Sequence, residues 1–162
     1  MAGTPAVAAL EKAKIDHRVC TYEHDPGAAG ALGGYGLEAA HALGVDASTV
    51  FKTLVVQVES SLVVAICPVT GKLDLKAVAQ AVGAKKASMA DPAAAQKATG
   101  YVVGGISPLG QRKRLRTVLD ATAMDHPQIL VSAGRRGMDV ALAPSDLVRL
   151  TSAVVAPIAA AH

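Results

Sequence analysis

The sequence predicts an α/β fold of the α+β kind, a mixed β-barrel-like sheet flanked by helices. Three observations carry that expectation. Runs of β-branched residues alternate with short, well-capped helical segments. The alternation lacks the regular ~30-residue βαβ spacing of a doubly wound sheet. The 162 residues are 51% apolar, enough for one domain with a sizeable core. No internal repeat or compositional break divides the chain, so residues 1–162 are expected to form a single domain.

The elements follow in order. Thr4-Pro5 opens a helix as N-cap and first-turn proline, with Ala6, Val7, Leu10 and Ala13 as its apolar stripe to Lys14. A short strand is expected over 17–22. Residues 25–34, rich in Gly and Ala, read as a loop. Residues 37–43 are helical in pattern, closed by Gly44. Two β-branched runs, 49–58 and 62–67, flank the short polar segment Glu59-Ser60-Ser61 and predict a hairpin. Asp74 caps a helix reaching Val82, and Asp91-Pro92 starts another that ends near Thr99-Gly100. Strands are then expected over 101–103, 116–120, 128–132 and 138–142, and Pro144 opens a last helix to about Leu150.

Composition narrows the function classes. The formal charge of +3 permits an anionic partner. Lys12 and Lys14 interrupt the first apolar stretch, so no secretory leader is read, and no run approaches the ~18 apolar residues of a membrane helix. Cys20 and Cys67 lack metal-ligand spacing, which predicts free thiols, a reducing cytoplasmic location and no metal or cofactor. The aromatic residues are Tyr22, Tyr35, Phe51 and Tyr101. Four scattered rings cannot form an extended stacking platform for single strands, though a groove for one nucleotide is compatible with them.

Several residues stand out chemically. Lys52 falls in an alternating row with Val50, Leu54, Val56 and Val58. Lysine is rarely buried without a partner, so it either snorkels to the strand end or projects into a cleft to bind a phosphate or ester oxygen. The run Gly104-Gly105-Ile106-Ser107-Pro108-Leu109-Gly110 fits neither a Walker loop nor a dinucleotide fingerprint. Its paired glycines allow backbone N–H groups to approach an anion or a developing oxyanion, or serve a tight turn stiffened by Pro108. In Arg135-Arg136-Gly137-Met138-Asp139, the acid lies on the strand face opposite Met138, Val140 and Leu142. It is either a surface carboxylate or a group that orients a substrate amine or pairs with Lys52. Arg112, Lys113, Arg114 and Arg116, with Lys85 and Lys86, read as a solvated basic face or a phosphate-contacting one. His24, between Glu23 and Asp25, has no serine or cysteine placed to complete a triad and is read as a structural hydrogen-bonding residue.

These segments also resemble a known family. Thr21-Tyr22-Glu23-His24-Asp25-Pro26, Val50-Phe51-Lys52-Thr53-Leu54, Lys72-Leu73-Asp74-Leu75-Lys76, Gly83-Ala84-Lys85-Lys86, Met89-Ala90-Asp91-Pro92, residues 99–110 and Gly134-Arg135-Arg136-Gly137-Met138-Asp139 occur in the order seen in the YbaK/EbsC family. The likeness covers nearly the whole chain. It implies the fold of the prolyl-tRNA synthetase editing domain and trans-editing of Cys-tRNA(Pro), with Cys-tRNA(Cys) as a further substrate. It also implies the CCA end of tRNA(Pro) and prolyl-tRNA synthetase as partners, with neither DNA nor membrane involved.

By the same resemblance Lys52, Asp139 and Tyr22 carry catalysis, Lys52 at the terminal adenosine and phosphate. Gly104, Gly105, Ile106, Ser107, Pro108, Thr53, Tyr35 and Gly134 bind substrate. The implied mechanism is substrate-assisted, the attached cysteine's thiol attacking its own ester. The loop between Pro26 and Tyr35 is longer than is typical of the family, which loosens the placement of Tyr35 and Glu38. Two alternatives remain open at this point: editing of another small residue such as Ala-tRNA(Pro), and a non-catalytic module that binds tRNA or synthetase.

Overall fold

The computed structural model describes residues 3–24 and 35–161. Helix α1 (Pro5–Lys12) starts where the Thr4 hydroxyl accepts the Val7 N–H at 3.3 Å. It buries Ala6, Val7 and Leu10 in the main core. Strand β1 (His17–Thr21) and helix α2 (Tyr35–Leu43) follow, and the Gly/Ala-rich stretch 25–34 lies outside the described residues. Strands β2 (Phe51–Val58) and β3 (Ser61–Pro68) form the expected antiparallel hairpin, register Val58↔Ser61 to Phe51↔Pro68. Next come β4 (Gly71–Leu73), α3 (Leu75–Ala81), β5 (Ser88–Met89) and α4 (Pro92–Thr99). Asp74 and Asp91 cap the two helices by accepting the Ala77 and Ala94 N–H groups. Gly100 ends α4 at φ +83°. The chain closes with β6 (Arg116–Asp120), β7 (Ile129–Arg135), β8 (Met138–Leu142), α5 (Pro144–Thr151), β9 (Val154–Ala156) and β10 (Ala159–Ala161).

The sheets are mixed, as expected. One has the order β5-β2-β3-β6-β9, antiparallel up to β3 and parallel from β3 onward. A second has the order β1-β8-β7, and β10 pairs with β4. A single parallel bridge, Val50↔Leu130, links the first two. The strands therefore do not close into a barrel. The β2–β3 pair is covered on both faces: Phe51, Val55, Val64 and Ile66 enter the main core, and Val56, Val58, Val63 and Ala65 pack with Val78 of α3 and Ile158. A third cluster joins Val50, Val69, Leu130 and Ala141 to Ala40 of α2.

The expected strand over 101–103 is absent. Tyr101 is anchored instead by its hydroxyl, which donates to Leu109 O at 2.6 Å, and the Gly105 N–H closes a turn onto Val102 O. Val102 and Val103 are both exposed, so their β-branched character has no sheet to serve. The short strands β4, β5, β9 and β10 add to the expected set, since two- or three-residue strands leave no periodicity to read.

Buried Asp120, at the end of β6, fastens the C-terminal segment. Its carboxylate accepts the N–H groups of Ile158 (2.8 Å), Ala159 (3.1 Å) and Thr122 (3.2 Å), and the Thr122 hydroxyl. Asp120→Ala should lower the unfolding free energy in urea by about 2–3 kcal/mol, because it leaves a buried N–H without an acceptor. Asp120→Asn, which keeps an acceptor oxygen, should lose less. Wild-type stability in the alanine variant would show that the segment is held by other contacts.

Candidate active site

A cavity of about 190 Å³ opens where the start of β2 meets the residue after β3, the β7–β8 pair, the first turns of α2, Gly104 and Ile106. It lies beside the third core cluster, and Val50 and Val69 belong to both. Its polar groups come from Tyr22, Lys52, Thr53, Ser132, Arg135 and Asp139. Six residues singled out in the sequence thus meet here: Tyr22, Lys52, Thr53, Gly104, Ile106 and Asp139.

The lysine is held at the mouth rather than in the core. Its Nζ donates to Gly71 O at 3.1 Å, leaving its remaining N–H donors for a ligand. Lys52 and Asp139 are not within ion-pairing distance of one another. Asp139 is only 7% exposed, and no side-chain hydrogen bond or ion pair reaches its carboxylate among the described residues. Burial raises its pKa from an ordinary 3.8 to about 7. Burial, and then the neighbouring Asp139 charge, pushes the Tyr22 phenol up to about 12, so it stays a donor at neutral pH. Thr53 Oγ1 is buried without a hydrogen-bond partner, an orphaned polar atom at the cavity wall.

The glycine-rich run divides into two parts. Gly104, at φ +92°, and Ile106 face the cavity. Gly105 does not line it; a Cβ there would sit 2.7 Å from the Arg135 Cα, so glycine permits a close backbone crossing. Ser107 is fully buried, and its hydroxyl accepts the Leu109 N–H at 3.2 Å. Pro108 lines a different groove, and Gly134 packs against Tyr101 and Thr4. Tyr35 begins α2, and its side chain lies outside the described residues. His24 Nδ1 lies 2.8 Å from buried Glu38 Oε1, tying the segment after β1 to α2.

Sequence reasoning assigns no role to Arg135 or Ser132. Arg135 reaches the cavity at the register shift between Ser132 and Arg135 in the β7–β8 ladder, an irregularity that alternation cannot reveal. Ser132 Oγ accepts the Gly134 N–H at 3.2 Å. Neither cysteine nor histidine lines the cavity among the described residues. Cys67 is fully buried, and burial pushes its thiol up to about 11.

Residues 36–150 match the aminoacyl-tRNA editing domain. The chain belongs to this family. A relative from Enterococcus faecalis (strain ATCC 700802 / V583), provisionally named Cys-tRNA(Pro)/Cys-tRNA(Cys) deacylase EbsC, is 42% identical over 120 residues, covering 74% of this chain and 73% of the relative. Two solved structures, each 23% identical, share the fold. One is a protein described as hypothetical, with a TM-score of 0.84 over 97% of this chain and 100% of that one. The other is a provisionally assigned trans-editing enzyme for prolyl-tRNA synthetase, with a TM-score of 0.81 over 96% and 95%. The editing-domain chain is accordingly an enzyme of the aminoacyl-tRNA deacylase class, and the resemblance read from its motifs holds. Among the described residues, no helix is long and apolar enough to cross a membrane.

The Asp139 shift has a sign that can be measured. Its folded pKa of about 7 exceeds the unfolded value of 3.8, so the folded state binds the proton more tightly. The stability this contributes is full below pH 3.8 and is lost as the pH rises to about 7. Asp139→Asn should remove that slope and leave the variant more stable than wild type at pH 8, by up to roughly 4 kcal/mol. Parallel stability curves for the two proteins from pH 4 to 8 would show that Asp139 is not buried as a lone acid.

Proposed function

We propose that this editing-domain enzyme clears cysteine wrongly esterified to tRNA(Pro), in trans, with the substrate's own thiol as nucleophile. The observation that carries this reading is a small cavity holding one acid, Asp139, two cations, Lys52 and Arg135, and the orphaned Thr53 hydroxyl, but no histidine or cysteine among the described residues. At about 190 Å³ it is smaller than the ~300–1,000 Å³ typical of clefts for drug-sized ligands, which suits a small aminoacyl group. A synthetic site separates near-isosteric residues by only ~1–3 kcal/mol, so cysteine and proline require a second sieve. The relative's name supports the cysteinyl substrate.

In the proposed reaction the α-ammonium docks against Asp139 and supplies the counter-charge its carboxylate lacks. Tyr22 and Thr53 donate to the acyl portion. Lys52 holds the phosphate and ribose of the terminal nucleotide, and the Gly104 backbone lies beside the carbonyl. The substrate sulfur then attacks the ester carbon. A C–S bond forms, the C–O bond to the ribose breaks, and the thiol proton passes to the departing ribose oxygen, releasing a thiolactone. The protein's share is positioning and fixed electrostatics, which can supply large accelerations without an enzyme nucleophile or a metal. Prolyl-tRNA synthetase is the proposed protein partner, and the cytoplasm, where translation occurs, the proposed location.

Incubation with Cys-, Ala- and Pro-charged tRNA(Pro) tests the substrate directly. Cys-tRNA(Pro) should be cleared fastest; rapid loss of Ala-tRNA(Pro) with Cys-tRNA(Pro) untouched would overturn the assignment. Lys52→Ala should lower kcat/KM for Cys-tRNA(Pro) by about 10²-fold or more, because the variant removes a charge that positions the substrate. An unchanged rate would return Lys52 to a purely structural role. S-methylated Cys-tRNA(Pro) should resist cleavage, and its hydrolysis at the normal rate would exclude attack by the substrate thiol.

A further inference from the structure

We infer that a cationic band at the far end of the β2–β3 pair holds the phosphate backbone of the RNA whose charged 3′ end enters the cavity. The inference rests on the deacylase reading above and extends it beyond the terminal nucleotide. Lys85, Lys86, Arg112, Lys113, Arg114 and Arg116 are all exposed. The fold makes them neighbours although the sequence separates them. The backbone N–H groups of Arg112 and Lys113 donate to Thr99 O and Ala98 O at the end of α4, both at 2.9 Å. Arg114 donates to Ser152 Oγ at 3.0 Å, and Arg116 donates to Val82 O at 3.3 Å, three residues before Lys85. Between them runs a groove of about 300 Å³, lined by Val82, Arg114, Arg116, Thr151, Ser152 and Val154.

None of the six cations forms an ion pair with a carboxylate among the described residues. Glu59, in the β2–β3 turn, and Asp91, two residues past the β5 residue paired with Val56, are acidic residues that the topology brings toward this end. The band therefore presents a largely uncompensated positive field. It carries no aromatic residue, so it is suited to phosphates rather than to stacked bases.

Its distance from the cavity fits one continuous ligand. Arg116 is in register with Val63, Val63 with Val56, and Val56 lies four residues from Lys52 on β2. At ~3.4 Å per residue and ~4.8 Å per strand, Arg116 lies roughly 17 Å from Lys52. Duplex nucleic acid carries a phosphate every ~3.4 Å along each strand, so this gap spans a few nucleotides. An acyl group in the cavity would place the start of the acceptor stem at the band. An acidic protein surface would match the charge but has no reason to share that spacing.

The test uses the full chain and Lys85→Ala/Lys86→Ala/Lys113→Ala, three exposed residues with no part in the cavity. Binding of labelled tRNA(Pro) is followed from 50 to about 300 mM salt. The triple variant should bind about tenfold more weakly at 0.1 M salt, and its slope of log K against log[salt] should fall by about 0.7–0.9 for each phosphate it no longer neutralises. It should still cleave the cysteinyl ester of a CCA trinucleotide at the wild-type rate, which also shows that it is folded. Unchanged tRNA affinity and slope in an active protein would overturn the band alone. Loss of prolyl-tRNA synthetase binding with tRNA binding intact would make it a protein-docking surface, and the inference would fail. A wild type that leaves every ester intact would overturn the deacylase reading, and this assignment with it.

Discussion

Burial of the β2–β3 pair on both faces is the constraint from which the rest of the structure follows. Residues 63–69 are buried without a break, so no row of the strand is available to solvent. One face must be covered by α1 and the β7–β8 pair, the other by α3 and the C-terminal segment. A two-sided strand supports continuous β-branched sequence instead of alternation. It also leaves little freedom for a polar side chain except at the ends, where the covering layers stop. Lys52 sits at one such end and Arg116 is aligned with the other.

This arrangement explains which features could be read from sequence. The β-branched runs, the capping acids Asp74 and Asp91 and the Thr4-Pro5 start are local signals, and each marks an element that formed within one or two residues of its expected bounds. The resemblance brought Lys52, Asp139, Tyr22 and Thr53 together from distant segments, and they meet in one cavity. Alternation alone placed Asp139 correctly opposite Met138, Val140 and Leu142 but could not say whether that face met solvent.

The illegible parts share a physical cause. Tyr101-Val102-Val103 has strand composition, yet its hydrogen bonds are taken by a side-chain amide, a turn and a distant carbonyl. The Ser107 hydroxyl is engaged within its own turn, and Gly105 and Gly134 answer to backbone and ring crowding. Arg135 enters the cavity only because the ladder slips between it and Ser132. They depend on irregular turns, on backbone crowding between segments far apart in the chain, or on a break in periodicity, none of which a helix or strand pattern encodes.

Two buried aspartates show how far such context decides a residue's role. Asp120 and Asp139 are 2% and 7% exposed, and each ends or lies within a strand of the same fold. Asp120 is surrounded by donors and is therefore an internal fastening for the C-terminal segment. Asp139 has no such donors, and its burial raises its pKa to about 7. An isolated buried carboxylate costs stability, and replacing it with an apolar residue of similar size would be the simple remedy. Its position beside the orphaned Thr53 hydroxyl and the protonated Tyr22 phenol supports a different account. In the function proposed above the missing partner is the substrate's ammonium, and the unfavourable charge in the free protein would become a source of binding selectivity when that cation arrives.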